Sequence, residues 1–198
     1  MPTQPRLIVA TRNRHKTAEI RAMLGDRFEV LDATAFPELP EIAETGSTFL
    51  ANATLKAEGI SRRVAGWVLA DDSGLEVDAL GGAPGVWSSS FGGEEGNHAK
   101  NNARLITAMA DKPARQARFR CTMVLAKDGS AAADFCGTVE GTLSDSPRGA
   151  GGFGYDPLFI PDGYEQTFGE LGETVKNRLS HRARALAQAV SWLDTHPQ

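Results

Sequence analysis

The sequence predicts an α/β fold, and three observations carry that prediction. Apolar runs of strand length, Leu7–Ala10 and Val68–Ala70, alternate with longer stretches whose apolar residues recur at helical spacing. Arg118–Leu125 and Ala133–Val139 each alternate, and between them lies Lys127-Asp128-Gly129-Ser130, a hairpin signal by its Asp-Gly pair. The length of 198 residues is enough for one compact domain, with room for two lobes.

Taken in order, Arg6–Ala10 reads as a first strand. A helical pattern follows, with Ala18 or Ile20, Met23 and Leu24 facing a core, and with Thr11 and Asn13 both suitable as N-cap. Between strand and helix lies Thr11-Arg12-Asn13-Arg14-His15-Lys16. Cations at a helix N-terminus oppose the macrodipole by roughly 0.3–1 kcal/mol each. Two readings are open: a phosphate cradle made of free amides, a cap oxygen and Lys16, or an ordinary capped helix with a solvated basic turn. Glu29–Leu31 is a short strand candidate, and Phe36–Glu41 is a proline-broken loop. Thr45-Gly46-Ser47-Thr48 signals a second helix start, with Phe49, Ala53, Ala57 and Ile60 as its core face. Asn52 and Lys56, one turn apart, share another face, and Glu44 lies just before that helix.

The chain is organised around Val68–Gly85, VLADDSGLEVDALGGAPG. Val68–Ala70 reads as a buried strand end, Ser73-Gly74 as a turn, and Gly81-Gly82-Ala83-Pro84-Gly85 as a second turn. Asp71 and Asp72 close the apolar run, where carboxylates are costly without a compensating cation. One of them is therefore a candidate to hold a metal or activate water. If the strand continues, the two acids point to opposite faces and do not form one dyad. Beyond it, a turn spans Gly92–Gly96 and a helix runs from about Asn97 to Met109, with Leu105, Ile106 and Met109 inward. The alternation in Arg118–Leu125 predicts a strand with one well-buried face, and a last strand is predicted at Leu158–Ile160. Ser180 is a candidate N-cap for a C-terminal helix with Ala183, Leu186, Val190 and Leu193 on its apolar face. That places His181 and Arg182, again cations, in a first turn.

Composition narrows the function. A net charge of −4 without a basic stripe argues against a general nucleic-acid binder, so an anionic ligand must be met by a local cluster of donors. Cys121 and Cys136 lie in apolar runs without ligand spacing and read as buried thiols of a reducing compartment. The N-terminus carries no apolar run beyond Leu7–Ala10, which predicts no signal peptide or membrane span and a cytoplasmic setting. Gly149-Ala150-Gly151-Gly152-Phe153-Gly154 matches the dinucleotide-binding glycine pattern formally. That fingerprint needs a strand before it and a helix after it. Asp145-Ser146-Pro147-Arg148 precedes it and Tyr155-Asp156-Pro157 follows, so an oxidoreductase is disfavoured. A loop that brings backbone close to a flat ligand, with Phe153 or Tyr155 as a stacking face, fits better; tight-turn glycines and core aromatics are the plainer alternative.

In order along the chain stand Thr11-x-Asn13-x-x-Lys16-x-x-Glu19, Glu44-Thr45-Gly46-x-Thr48-Phe49, Ala70-Asp71-Asp72-Ser73-Gly74-Leu75, Gly82-Ala83-Pro84-Gly85, Gly152-Phe153-Gly154-Tyr155-Asp156-Pro157 and Lys176-x-x-x-Ser180-His181-Arg182. Together they resemble the inosine/xanthosine triphosphate pyrophosphatase (Ham1/ITPase) family over nearly the whole chain. The resemblance implies a long curved mixed sheet flanked by helices, two lobes with a central cleft, and a homodimer. It further implies Mg²⁺-dependent hydrolysis of (d)ITP and XTP to the monophosphate and pyrophosphate. Carried over by motif, Asp72 would be general base and metal ligand, and Glu44 the second metal ligand. Thr11, Asn13 and Lys16 would bind phosphates, supported by Lys56 and Ser73, and Arg12, Arg14 and His15 between them are further substrate-binding candidates. Phe153, Gly154, Tyr155, Asp156, Lys176, His181 and Arg182 would hold sugar and base. A non-catalytic nucleotide sensor is disfavoured by the joint presence of Asp72, Glu44 and Lys16. Arg182 is donor-only, so the 6-oxo acceptor of hypoxanthine or xanthine suits it and the 6-amino group of adenine does not. Two departures stand out: Ser90 where many bacterial relatives carry arginine, and Arg12 where glycine is frequent.

Overall fold

A computed structural model describes residues 4–196. Strands β1 (Arg6–Val9), β2 (Glu29–Asp32), β3 (Trp67–Val77), β4 (Gln116–Lys127), β5 (Ser130–Leu143) and β6 (Phe159–Pro161) form a six-stranded sheet in the order β2-β1-β3-β4-β5-β6. The sheet is mixed: β1 is parallel to β2 and to β3, whereas β5 and β6 are antiparallel. Helices α1 (Arg14–Leu24), α2 (Phe49–Ser61), α3 (His98–Met109), α4 (Phe168–Leu179) and α5 (His181–Thr195) complete the α/β fold. None of these helices is long and apolar enough to cross a membrane.

The chain divides into two compact units. The first comprises Met1–Asp72, Cys121–Gly137 and Ala183–Gln198, and the second Ser73–Arg120 and Thr138–Arg182. In the first, Leu7, Val9, Trp67, Leu69, Cys121, Met123 and Leu125 pack with Ile20 and Leu24 of α1 and with Ala185, Leu186 and Leu193 of α5. The alternate residues Ile8, Ala10, Val68, Ala70, Val124 and Ala126 pack instead with Ala53, Ala57 and Ile60 of α2. Strands covered on both faces carry unbroken apolar runs rather than alternation, which is why β1 and the start of β3 are so apolar. The second unit has its own core of Leu75, Val77, Leu105, Met109, Phe119, Phe159 and Phe168.

Several expectations are corrected. Ser73-Gly74 is not a turn: β3 runs through it, which places Leu75 and Val77, both fully buried, in the second core. β4 has no single buried face over residues 121–126, all of which are buried. Cys121 is buried as read, but Cys136 is exposed, because the pleat of β5 turns it away from the side taken by Phe135 and Gly137. Ile20, not Ala18, faces the core from α1, and α5 buries Ala185 and Ala189 while Ala183 is only half-buried. Helix α4 is unexpected. Thr167 and Glu170 form its capping box, and Gly172 interrupts it with φ 76° and ψ 165°. The Asp128-Gly129 hairpin is as predicted, with positive φ at both residues (54° and 82°).

Candidate active site

In the first unit, the loop after β1 is shaped by its own polar side chains. Asn13 caps α1, its Oδ1 accepting from the amides of His15 (3.0 Å) and Lys16 (3.3 Å), while the Asn13 amide donates to Thr11 Oγ1 at 3.1 Å. The choice between Thr11 and Asn13 thus falls to Asn13, with Thr11 bracing it. Arg12 donates to the Leu39 carbonyl at 2.7 Å. Arg14 and His15 are exposed, and the first turn contains no acid. Lys16 is not a solvated surface cation: its ammonium pairs with Asp71 Oδ1.

The acids of β3 follow the pleat. Asp71 continues the side of Trp67 and Leu69, where α1 packs, and meets Lys16 there; Cys121 donates to its other oxygen at 3.0 Å. Asp72 continues the side of Val68 and Ala70, where α2 packs. Asn52 of α2 donates to Asp72 Oδ2 at 3.2 Å, and Lys56 Nζ lies 3.6 Å from Asp72 Oδ1. The same ammonium donates to Glu44 Oε2 and to the Asp71 carbonyl, both at 2.8 Å. Asn52 Oδ1 also accepts from the Gly46 amide at 2.7 Å, and a Cβ at Gly46 would stand 2.7 Å from that oxygen, so the loop holding Glu44 needs glycine there. Burial pushes the Asp72 carboxyl up to about 6; Glu44 and Asp71 add to the rise, against the pull of Lys56 and Lys16.

Whether these residues suit a metal is answered by Lys56. Its ammonium meets Glu44 and Asp72 together, so the two carboxylates converge within reach of one cation. No group of three or more His, Cys, Asp or Glu placed to hold a metal occurs among the described residues. Two carboxylates with water and phosphate oxygens is, however, the donor set typical of Mg²⁺. The residues fit that ion.

In the second unit, the glycine-rich loop wraps a buried carboxylate. Asp156, 1% exposed, accepts from the Phe153 amide at 2.7 Å and from Lys176 Nζ at 2.5 Å. Gly152 has φ 71°, and a Cβ there would strike the Asp156 side chain. The Phe153 ring is half-buried, with Lys176 Nζ 4.5 Å and the Arg182 guanidinium 5.7 Å from its centroid. Arg182, 1% exposed, donates to Ser73 Oγ at 2.8 Å, and His181 stacks on Phe119 at 4.8 Å between centroids. Of the two aromatic candidates, Phe153 has the cationic surroundings of a ligand-facing ring. Tyr155 is buried, donates to the Ser88 carbonyl at 2.8 Å, and has a phenol pushed up by desolvation, so it acts as a brace. Gly154 contributes a carbonyl that accepts from Asn102 Nδ2 at 3.0 Å.

The sequence-predicted residues thus form two groups, one in each unit. Glu44, Lys56 and Asp72 join through shared ion pairs, with Lys16 tied to them through Asp71, whose carboxylate it meets and whose carbonyl Lys56 bonds. Phe153, Asp156, Lys176, Arg182 and Ser73 surround one loop. Arg14 and His15 lie exposed in the first turn of α1. The one-turn spacing of Asn52 and Lys56 behind Glu44 points to one shared site, and the three meet there. Cys121 and Asn102 were not legible as site features, since a thiol in an apolar strand and a lone asparagine on a helix carry no spacing signal. Ser90 lies in a turn, its carbonyl accepting from the Gly93 amide at 2.8 Å.

Comparison with known proteins places the chain in a family. The Ham1 family model matches residues 7–192. A protein of Halalkalibacterium halodurans named dITP/XTP pyrophosphatase is 47% identical over 190 residues, covering 94% of this chain and 98% of its own length. Ham1 proteins from Staphylococcus aureus and Coxiella burnetii have similar structures, each with a TM-score of 0.86 at 32% and 36% identity, covering 97% of this chain and all of theirs. A family model spanning nearly the whole chain, with relatives matched end to end, leaves one assignment: the chain belongs to the Ham1 family.

Proposed function

We propose that this protein is a nucleoside triphosphate pyrophosphohydrolase. It converts non-standard purine triphosphates (dITP, ITP, XTP and dXTP) with water to the monophosphate and pyrophosphate, by attack at the α-phosphorus. The relative named dITP/XTP pyrophosphatase supports the reaction class. The observation that carries the chemistry is Asp72, a buried carboxylate beside two lysines and a second carboxylate, with its pKa near 6.

In this reading Glu44 and Asp72 hold Mg²⁺, which when bound polarises phosphate oxygens and offsets charge on the leaving group. In the metal-free protein burial raises the Asp72 carboxyl above the ordinary aspartate range, and its place beside Glu44 and the lysines makes it the candidate general base. It takes a proton from the attacking water while the bond from the α-phosphorus to the bridging oxygen breaks, and pyrophosphate leaves with that oxygen. Asn52 fixes the carboxylate, and Lys16 and Lys56 bring positive charge to the phosphates. Phe153 offers a face to the base, and the donor-only Arg182 and Lys176 favour a 6-oxo purine.

The test is a substrate panel with Mg²⁺: dITP, XTP, dATP and dGTP, with pyrophosphate and orthophosphate measured separately. Pyrophosphate released from dITP and XTP, with dATP and dGTP poor, is the expected result. Orthophosphate without pyrophosphate would mean cleavage at the γ-phosphate, and no turnover would favour a nucleotide sensor.

A further inference from the structure

The proposed mechanism assigns work to Asp72 and leaves Asp71 unexplained. A carboxylate with its side chain fully shielded from solvent is costly unless it is paired and hydrogen-bonded. Asp71 is both. One oxygen receives the Lys16 ammonium, and the other accepts from the Cys121 thiol at 3.0 Å. Its backbone carbonyl accepts from Lys56 at 2.8 Å, so both lysines of the phosphate group, Lys16 and Lys56, are seated on residue 71. Cys121 is itself fully buried in β4, the strand beside β3, on the α1 side of the sheet. Asp71 therefore sits between a strand and a helix terminus, with a donor on each.

The geometry points to Asp71 as the positioning residue for Lys16, with the Cys121 thiol locking the carboxylate orientation that Lys16 requires. This rests on the reading that Lys16 binds phosphate. A lysine carries four rotatable bonds and three donors, and holding it in one direction before the ligand arrives removes an ordering cost from binding. Lys16 stands in a helix first turn without acids, where the dipole disfavours it. Asp71 supplies the compensating charge from the neighbouring strand. A thiol is a weak donor, but a carboxylate acceptor strengthens the bond. An apolar residue at 121 would leave one buried oxygen of Asp71 without that donor. Cys121 thus acts through Asp71 on Lys16, without touching substrate.

The test measures binding of inorganic tripolyphosphate by calorimetry, together with KM and kcat for dITP, in wild type, Cys121→Ala, Cys121→Ser, Lys16→Met and the Cys121→Ala/Lys16→Met double variant. Thermal unfolding of each confirms that it is folded. Cys121→Ala is expected to weaken tripolyphosphate roughly fivefold to tenfold and to raise KM more than it lowers kcat. Cys121→Ser, which keeps a donor, should restore most of the affinity. In the Lys16→Met background, Cys121→Ala should have no further effect on tripolyphosphate binding, because the residue it acts on is gone. If Lys16→Met binds tripolyphosphate like wild type, the phosphate reading of Lys16 fails. If Lys16→Met weakens binding but Cys121→Ala does not, or if the two losses simply add, the positioning role fails while the phosphate reading stands.

Discussion

Asp72 is buried, with Glu44 and Asp71 close enough to raise its pKa further and Lys56 and Lys16 close enough to pull it back. The balance leaves its pKa near 6, above the ordinary aspartate value, so folding disfavours the charged form. That cost is absent below the unfolded-state pKa near 4 and fully present above about 6. In the metal-free protein, the contribution of Asp72 to stability therefore improves as pH falls from 7 towards 4. Asp72→Asn should raise metal-free stability at pH 7 by an amount on the order of 1–3 kcal/mol, with the gain shrinking at pH 4 in denaturant melts. The same variant should lose turnover by about 100-fold or more while still binding dITP. Near-wild-type activity would remove Asp72 as the base. The separation of the two acids was legible from the sequence, because strand periodicity alone sends neighbours to opposite faces. Which acid takes which lysine was not, since that depends on which helix covers each face.

At the scale of elements, the start of α2 links fold and chemistry. Thr48 caps the helix through the Ala51 amide at 3.1 Å, and Asn52 one turn later bonds backward to Gly46 and across to Asp72. Gly46→Ala should displace Asn52 and lower kcat by roughly 10–100-fold while helix content by circular dichroism is retained. Unchanged kcat would mean that Asn52 does not orient Asp72. Caps, the hairpin and the helix faces could be read from sequence because local chemistry dictates them. Helix α4 could not: Gly169 and Gly172 interrupt its pattern, and its cap pair Thr167 and Glu170 lies in a stretch that otherwise reads as loop. Nor could the continuation of β3 through Ser73-Gly74, where a turn-like dipeptide is held extended by the burial of Leu75 and Val77.

For the molecule as a whole, the two units carry different chemistry. The first gathers Lys16, Lys56, Glu44 and Asp72, suited to phosphates and a hard cation, and the second gathers Phe153, Lys176 and Arg182, suited to a flat oxo-purine. Each loop holding these groups is locked from beneath, by Asn13 and Thr11 in one unit and by Asp156 in the other. Membership of the Ham1 family was legible from the ordered motifs, and those motifs supply most residues of the two groups, Lys56 excepted. The central claim is that water attacks the α-phosphorus of a non-standard purine triphosphate. It is tested most directly by hydrolysing dITP with Mg²⁺ in water enriched in the heavy oxygen isotope, and weighing the products by mass spectrometry. The label is expected in the nucleoside monophosphate, with unlabelled pyrophosphate. Label in pyrophosphate or in orthophosphate would contradict it.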